Sequence, residues 1–344
     1  MINEIVEIPI TITRINSKIN IVSFKTPRIY FNEPFFIDSL VKNFNILQSQ
    51  IKLPNENELL SRPVHYEETS NQIVNTPIEK FIEKFGNSTS VLSIDEKIGF
   101  IFHMSRCGST LFTQMLTASN KFFVLSEPTI INAVLDPALE IDESTRIKLL
   151  KACINALNSC APITSERTII KFRSWNTLFI DMISGCFKDI PWVFIHRNGI
   201  EVLASVLKKP PGWLRSKNLY TKYFSKILNT EQTQINKMPL DEFAIKLLGK
   251  FCSFAKDCQV GKKKFIEYFD IKKVFPDIIK VQWNIELTQK EKDEAKTISS
   301  LYSKDTEKKE LFTSDTEEKQ NQITDKQKEL VLELLESQRN KLIN

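Results

Sequence analysis

The apolar positions fall into a repeating pattern between residues 98 and 210. Short continuous apolar runs alternate there with stretches of helical period. Ile98–His103 is the first run. A polar turn follows it, and Ser109–Ala118 then carries a helical spacing. Phe122–Leu125 is a second run, closed by Ser126-Glu127-Pro128. Thr145–Asn158 places Ile147, Leu150, Ile154 and Leu157 on one stripe, as an amphipathic helix does. Thr168–Phe172 predicts a strand, Thr177–Phe187 a helix, Pro191–Ile195 a strand and Glu201–Leu207 a helix, which Pro210-Pro211-Gly212 ends. Residues 215–258 read as helical, Lys264–Phe269 as a last strand and Ile271–Ile279 as a helix. Apolar runs joined by amphipathic helices imply an α/β fold: three α/β/α layers, a mainly parallel sheet and helical additions.

The flanks read differently. Residues 1–95 mix alternating and short apolar segments, with a helical candidate near Pro34–Leu47. They form an N-terminal extension expected to pack on or cap the core, which spans 96–287. Residues 288–344 hold 11 basic and 13 acidic residues, a net charge of −2 against +7 for the rest. Within them a polar linker (Thr306–Thr324) precedes Ile323–Ile343, whose leucine stripe (Leu330, Leu334, Leu335, Leu342) predicts a docked terminal helix.

Composition narrows the chemistry. A net charge of +5 on 47 basic and 42 acidic residues is mild, and the basic residues are scattered. That balance suits a small anionic ligand better than nucleic acid, which needs a concentrated basic stripe. The 3 histidines argue against a multi-histidine metal centre. The 6 cysteines show no C-x-x-C pair and no zinc spacing, and read as reduced thiols of a cytoplasmic protein. The N-terminus lacks the apolar core of a signal peptide, and no apolar run is long enough for a membrane span. The chain is short of glycine, with 8 in 344 residues, so a glycine in a tight polar turn draws notice.

One such turn is IFHMSRCGSTLFTQML, where an apolar strand ends, small and polar residues follow, and a helix begins. Unpaired amides and the positive end of the helix dipole make that junction an anion site. Gly108 would let the backbone approach a phosphate closely. Ser109 and Thr110 offer hydroxyls, and Arg106 a planar charge suited to oxyanions. The turn is not a Walker A loop: His103 stands at its first glycine position and Ser109 at its lysine position. A P-loop kinase or nucleotidase is therefore the weaker alternative, beside a non-catalytic nucleotide-binding interaction protein.

The run Ser105-Arg106-Cys107-Gly108-Ser109-Thr110 resembles the 5′-phosphosulfate loop of sulfotransferases that use 3′-phosphoadenosine 5′-phosphosulfate (PAPS). Their pattern is P-[KR]-S-G-T-[ST]; this chain departs from it with Ser105 for the proline and Cys107 for the serine. The resemblance extends to three further places. Family members bind the 3′-phosphate with an Arg at a strand end and a Ser eight residues on, which matches Arg197 and Ser205. Tyrosylprotein sulfotransferases carry a general base 21 residues after the loop Arg, which matches Glu127. They carry a Lys 26 residues before the 3′-phosphate Arg, which matches Lys171. The match covers residues 98–210, continues weakly over 266–285 and does not reach the first 95 residues.

The resemblance implies a P-loop NTPase-like fold. It implies transfer of a sulfuryl group to a hydroxyl or amine of a small-molecule, glycan or peptide acceptor. Glu127 would act as base, Lys171 and Arg106 would offset charge, and no metal would take part. His103 reads as a strand-end residue near the nucleotide, and His196 as structural. Residues 1–95 and 212–258 would frame the acceptor pocket.

Overall fold

The computed structural model describes residues 4–43, 73–86, 97–187, 189–301 and 320–343. Most of the expected Thr306–Thr324 linker, the end of the Pro34–Leu47 helical candidate and the boundary near residue 95 lie outside these ranges.

A five-stranded parallel sheet forms the centre, its strands ordered β5 (Phe122–Ser126), β6 (Arg167–Lys171), β4 (Ile98–His103), β7 (Trp192–His196) and β8 (Lys263–Glu267). β4 and β7 are buried along their whole length, as strands covered on both faces must be. Burying each Ile or Phe of these runs contributes about 1.5–3 kcal/mol relative to exposure. Helices flank the sheet and complete three α/β/α layers. Ser109–Leu116 packs with Gln289–Ile298, and Phe112 meets Phe275 and Trp283 of the Ile271–Trp283 helix edge to face. Elsewhere Leu240–Asp257 packs against Gly199–Lys208 and the 3₁₀ turn Ser174–Phe179, while Glu143–Ser159 packs against Thr129–Leu135 and Ile180–Gly185. Among the described residues, no helix is long and apolar enough to cross a membrane.

The structure differs from the sequence reading in several places. The Thr177–Phe187 helix is a 3₁₀ turn followed by the short helix Ile180–Gly185. The last strand ends at Glu267, not Phe269, because Tyr268–Asp270 turns into the next helix. Residues 215–258 are broken into Thr221–Leu228, Gln232–Lys237 and Leu240–Asp257.

In the extension, β1 (Ile5–Ile15), β2 (Lys18–Pro27) and β3 (Ile73–Pro77) form an antiparallel sheet. The β1–β2 hairpin turns on Asn16 and Ser17, both at positive φ, as a two-residue type I′ turn requires. Helix Phe36–Asn43 follows β2. This unit docks on the β5 side of the core: Phe31 meets Phe123 edge to face, and Thr129 Oγ1 donates to the Ile10 carbonyl. At the other side, the C-terminal segment runs as helix Asp325–Leu330, one wide π turn over Val331–Glu336 and a final turn at Ser337–Arg339. Val331, Leu335 and Leu342 are buried.

Candidate active site

Parallel strands end on one edge, so His103, Ser126, Lys171, His196 and Glu267 share the carboxyl side of the sheet. In open α/β sheets, ligands bind outside that edge. Two turns there carry the residues singled out in the sequence.

The first turn leaves β4. Ser105 (φ 84°), Arg106 (φ 49°) and Gly108 (φ 84°) all lie in the left-handed region. Each such non-glycine residue costs on the order of 1–3 kcal/mol and persists only where surrounding contacts over-determine it. Here the Ser105 amide donates to His103 Nδ1, which assigns the ring proton to Nε2, and that atom lies 3.1 Å from the Phe172 carbonyl oxygen. Cys107 Sγ donates to the Ile195 carbonyl at 3.0 Å. Burial pushes the Cys107 thiol up to about 12, against amide hydrogen bonds and the charges of Lys171 and Arg197. Fully buried, the thiol stays protonated at neutral pH. Gly108 at the N-cap brings no side chain to the helix that begins at Ser109. A Cβ at position 108 would lie 2.5 Å from the Tyr268 ring and 3.1 Å from Ile271. Glycine is therefore required by its left-handed φ and by the seating of Tyr268.

Glu127, Lys171 and Thr110 come together beside this turn. Lys171, fully buried, places Nζ 2.8 Å from Glu127 Oε1 and donates to Thr110 Oγ1 at 3.3 Å. Arg173 Nε lies 3.6 Å from Glu127 Oε2. Glu127 itself is at φ 63°, and its amide donates to the Lys171 carbonyl at 2.7 Å. Burial would raise the Glu127 carboxyl; the charges of Lys171 and Arg173 outweigh it and bring the group down to about 2. Lys171 Nζ also lies 5.2 Å from the centre of the Phe35 ring, delivered by the N-terminal extension. Arg106 lies apart from this group: its Nη2 donates to the Lys209 carbonyl at 2.7 Å.

The second turn leaves β7. Arg197 is buried, and Glu201 Oε2 accepts from its Nε (2.7 Å) and its Nη2. The guanidinium carbon sits 4.1 Å from the centre of the Tyr268 ring, a cation–π contact. Ser205 is half-buried, one helical turn beyond Glu201. Asn198 caps the helix, accepting from the amides of Ile200 and Glu201. Tyr268 touches both turns: its ring packs on Gly108 and on Arg197. Sequence reasoning passed over Tyr268, Arg173, Glu201 and Phe35. Of these, Tyr268 lay in the weakly matching stretch 266–285, and Glu201 could be found as the carboxylate four residues after Arg197.

No family model matches the chain, and no curated protein matches it. Among solved structures it is similar to the crystal structure of sulfotransferase STF9 from Mycobacterium avium, at 13% identity over 71% of this chain and 79% of that one, with a TM-score of 0.41. No residue role rests on that likeness.

Proposed function

We propose that the chain moves a sulfuryl group from PAPS to a hydroxyl or amine of a small-molecule, glycan or peptide acceptor. One observation carries the reading: a single buried ammonium, Lys171, is shared between a carboxylate at a strand end and a hydroxyl in the first turn of the helix after the anion loop. A cation so placed can serve a developing charge on the donor and control the base.

The residues fit the donor's charge distribution. Loop amides, Ser105 through Thr110, together with the Arg106 guanidinium, would hold the 5′-phosphosulfate. Arg197 and Ser205 would hold the 3′-phosphate. The acceptor oxygen bonds to sulfur as the bond from sulfur to the 5′-phosphate oxygen breaks. Its proton goes to Glu127, and 3′-phosphoadenosine 5′-phosphate (PAP) leaves. Lys171 offsets the negative charge that grows on the bridging oxygen. Glu127 is ionised at neutral pH but, while paired, is a weak base. Drawing Lys171 toward the sulfuryl oxygens would loosen that pair and strengthen the base when the donor is in place. Phe35 would border the acceptor side.

PAP, the desulfated product, tests the reading without a known acceptor. A ligand at 100 times its Kd stabilises a fold by about 2.7 kcal/mol, so millimolar PAP is expected to raise the Tm by several degrees. Adenosine 5′-phosphate is expected to raise it less. No shift with millimolar PAP overturns the proposal.

A further inference from the structure

The C-terminal segment reaches the second turn with two charged side chains that the proposed reaction does not use. Glu336 Oε1 accepts from the Gly199 amide at 2.6 Å, two residues after Arg197. Its Oε2 accepts from Arg339 Nε at 2.7 Å, and Arg339 Nη1 donates to Glu267 Oε1 at 2.9 Å. Glu267 is the register partner of His196 across β7 and β8, and the next residue, Tyr268, supplies the ring under Arg197. A chain of contacts Gly199–Glu336–Arg339–Glu267 therefore joins the two peptide segments that fix the Arg197 guanidinium. Glu336 and Arg339 are buried, at 7% and 8% exposure.

The backbone is shaped to admit this segment. A Cβ on Gly199 would lie 2.7 Å from Leu335 Cδ2 and 2.8 Å from Glu336 Oε1, and one on Gly249 would lie 2.9 Å from the Leu334 carbonyl oxygen. Apolar packing by Val331, Leu335 and Leu342 already holds the segment down. Buried ion pairs add little net stability over apolar side chains of similar size, whereas they do fix geometry and register in some systems. At this point the geometry they fix is that of Arg197. Glu201 occupies its Nε–Nη2 edge and Tyr268 its face, which leaves the Nη1 atom outside the Glu201 pair.

We propose that Glu336 and Arg339 are positioning residues of the donor site. They clamp the Arg197–Gly199 turn against the Glu267–Tyr268 turn, so that Arg197 meets a 3′-phosphate already oriented. The inference rests on the reading of Arg197 as the 3′-phosphate ligand.

The test titrates the full-length chain with PAP and with adenosine 5′-phosphate, which lacks the 3′-phosphate, and follows backbone hydrogen exchange at residues 197–200 and 267–270. Glu336→Ala and Arg339→Ala are each expected to weaken PAP about tenfold, a size usual for residues coupled to a site through contacts, and adenosine 5′-phosphate less than about twofold. Exchange in both turns is expected to quicken. Arg339→Lys is expected to recover part of the loss, and the double alanine variant to lose little more than either single one, since both residues serve one network. Equal weakening of both ligands, unchanged PAP binding, or tighter PAP binding each overturns the proposal; the last would make the segment a competitor of the donor. If the parent chain binds neither ligand, the donor reading falls. The clamp then stands or falls on the exchange data, and unchanged exchange in the variants overturns it.

Discussion

Two turns on the same sheet edge are built by opposite means. The first, after β4, is built from the main chain. Three of its residues lie at positive φ, its helix starts on a glycine without a side chain, and side-chain partners come from neighbouring strand ends. The second, after β7, carries no positive φ, and its donors are already engaged by side chains. Asn198 takes two amides, Glu336 a third, and Glu201 and Tyr268 fix the arginine. The first turn stores strain and offers backbone; the second stores charge and offers one oriented cation. On the proposed reading, the group that reacts belongs at the first, where Lys171 faces both Glu127 and Thr110. A group that must only be recognised belongs at the second.

The largest effect expected from separating the two is on transfer. Glu127→Gln at the first turn is expected to lower sulfuryl transfer from labelled PAPS to an extract of small metabolites by about 10²–10⁴-fold, the usual contribution of a general base, with PAP affinity nearly unchanged. Full transfer by this variant would remove Glu127 as base and erase the functional half of the contrast.

Acid should then pull the turns apart. Burial and the nearby Arg339 charge bring the His196 imidazole at the end of β7 down to about 4. The unfolded chain therefore binds the proton more readily, so the stability His196 gives is present above about pH 6.5 and is lost as pH falls toward 4, about 3 kcal/mol in all by linkage. Glu127 works the same way at lower pH: its contribution is present above about 4.5 and is lost only as pH falls toward 2. Hydrogen exchange between pH 7 and 4 is expected to loosen residues 196–200 before residues 104–110; the reverse order would contradict the account.

Arg197→Ala is expected to cost PAP binding about 1.5–3 kcal/mol, the worth of a charged hydrogen bond, and to spare adenosine 5′-phosphate. Equal losses for both ligands would mean that Arg197 supports the fold rather than the 3′-phosphate. The smallest change expected is Gly108→Ala. Its left-handed φ and the contact with Tyr268 are expected to cost about 1–3 kcal/mol of stability, read as a lower Tm, with Glu127 and Lys171 still paired.

Much of the first turn was legible in the sequence. Its residues are contiguous, and the strand–turn–helix pattern around Gly108 is local. Lys171 and Glu127 were singled out by their spacing to Arg197 and Arg106 in the resembled family, and the parallel sheet brings the ends of β5 and β6 together. The glycine's role was legible only in part: the sequence pointed to phosphate approach, whereas the space beside Gly108 belongs to Tyr268. At the second turn the sequence singled out Arg197 and Ser205 but not the support of Arg197, because Glu336 lies 137 residues from Gly199 and no local pattern ties the two. The N-terminal sheet escaped for a different reason. Its hairpin turns on Asn16-Ser17 without a glycine, and its third strand lies 46 residues beyond the second, from Pro27 to Ile73. Phe35 was missed with it, since only the docked sheet brings that ring to Lys171.

The hydrogen bond between Gly199 and Glu336 also sets a schedule for biosynthesis. The latest-made partner of the first turn, Tyr268, precedes Glu336 by 68 residues. At roughly 5–20 residues per second, the 137 residues between Gly199 and Glu336 take about 7–27 s to translate. A nascent chain can thus complete the first turn only after Tyr268 is made, about 3–14 s before Glu336 completes the second.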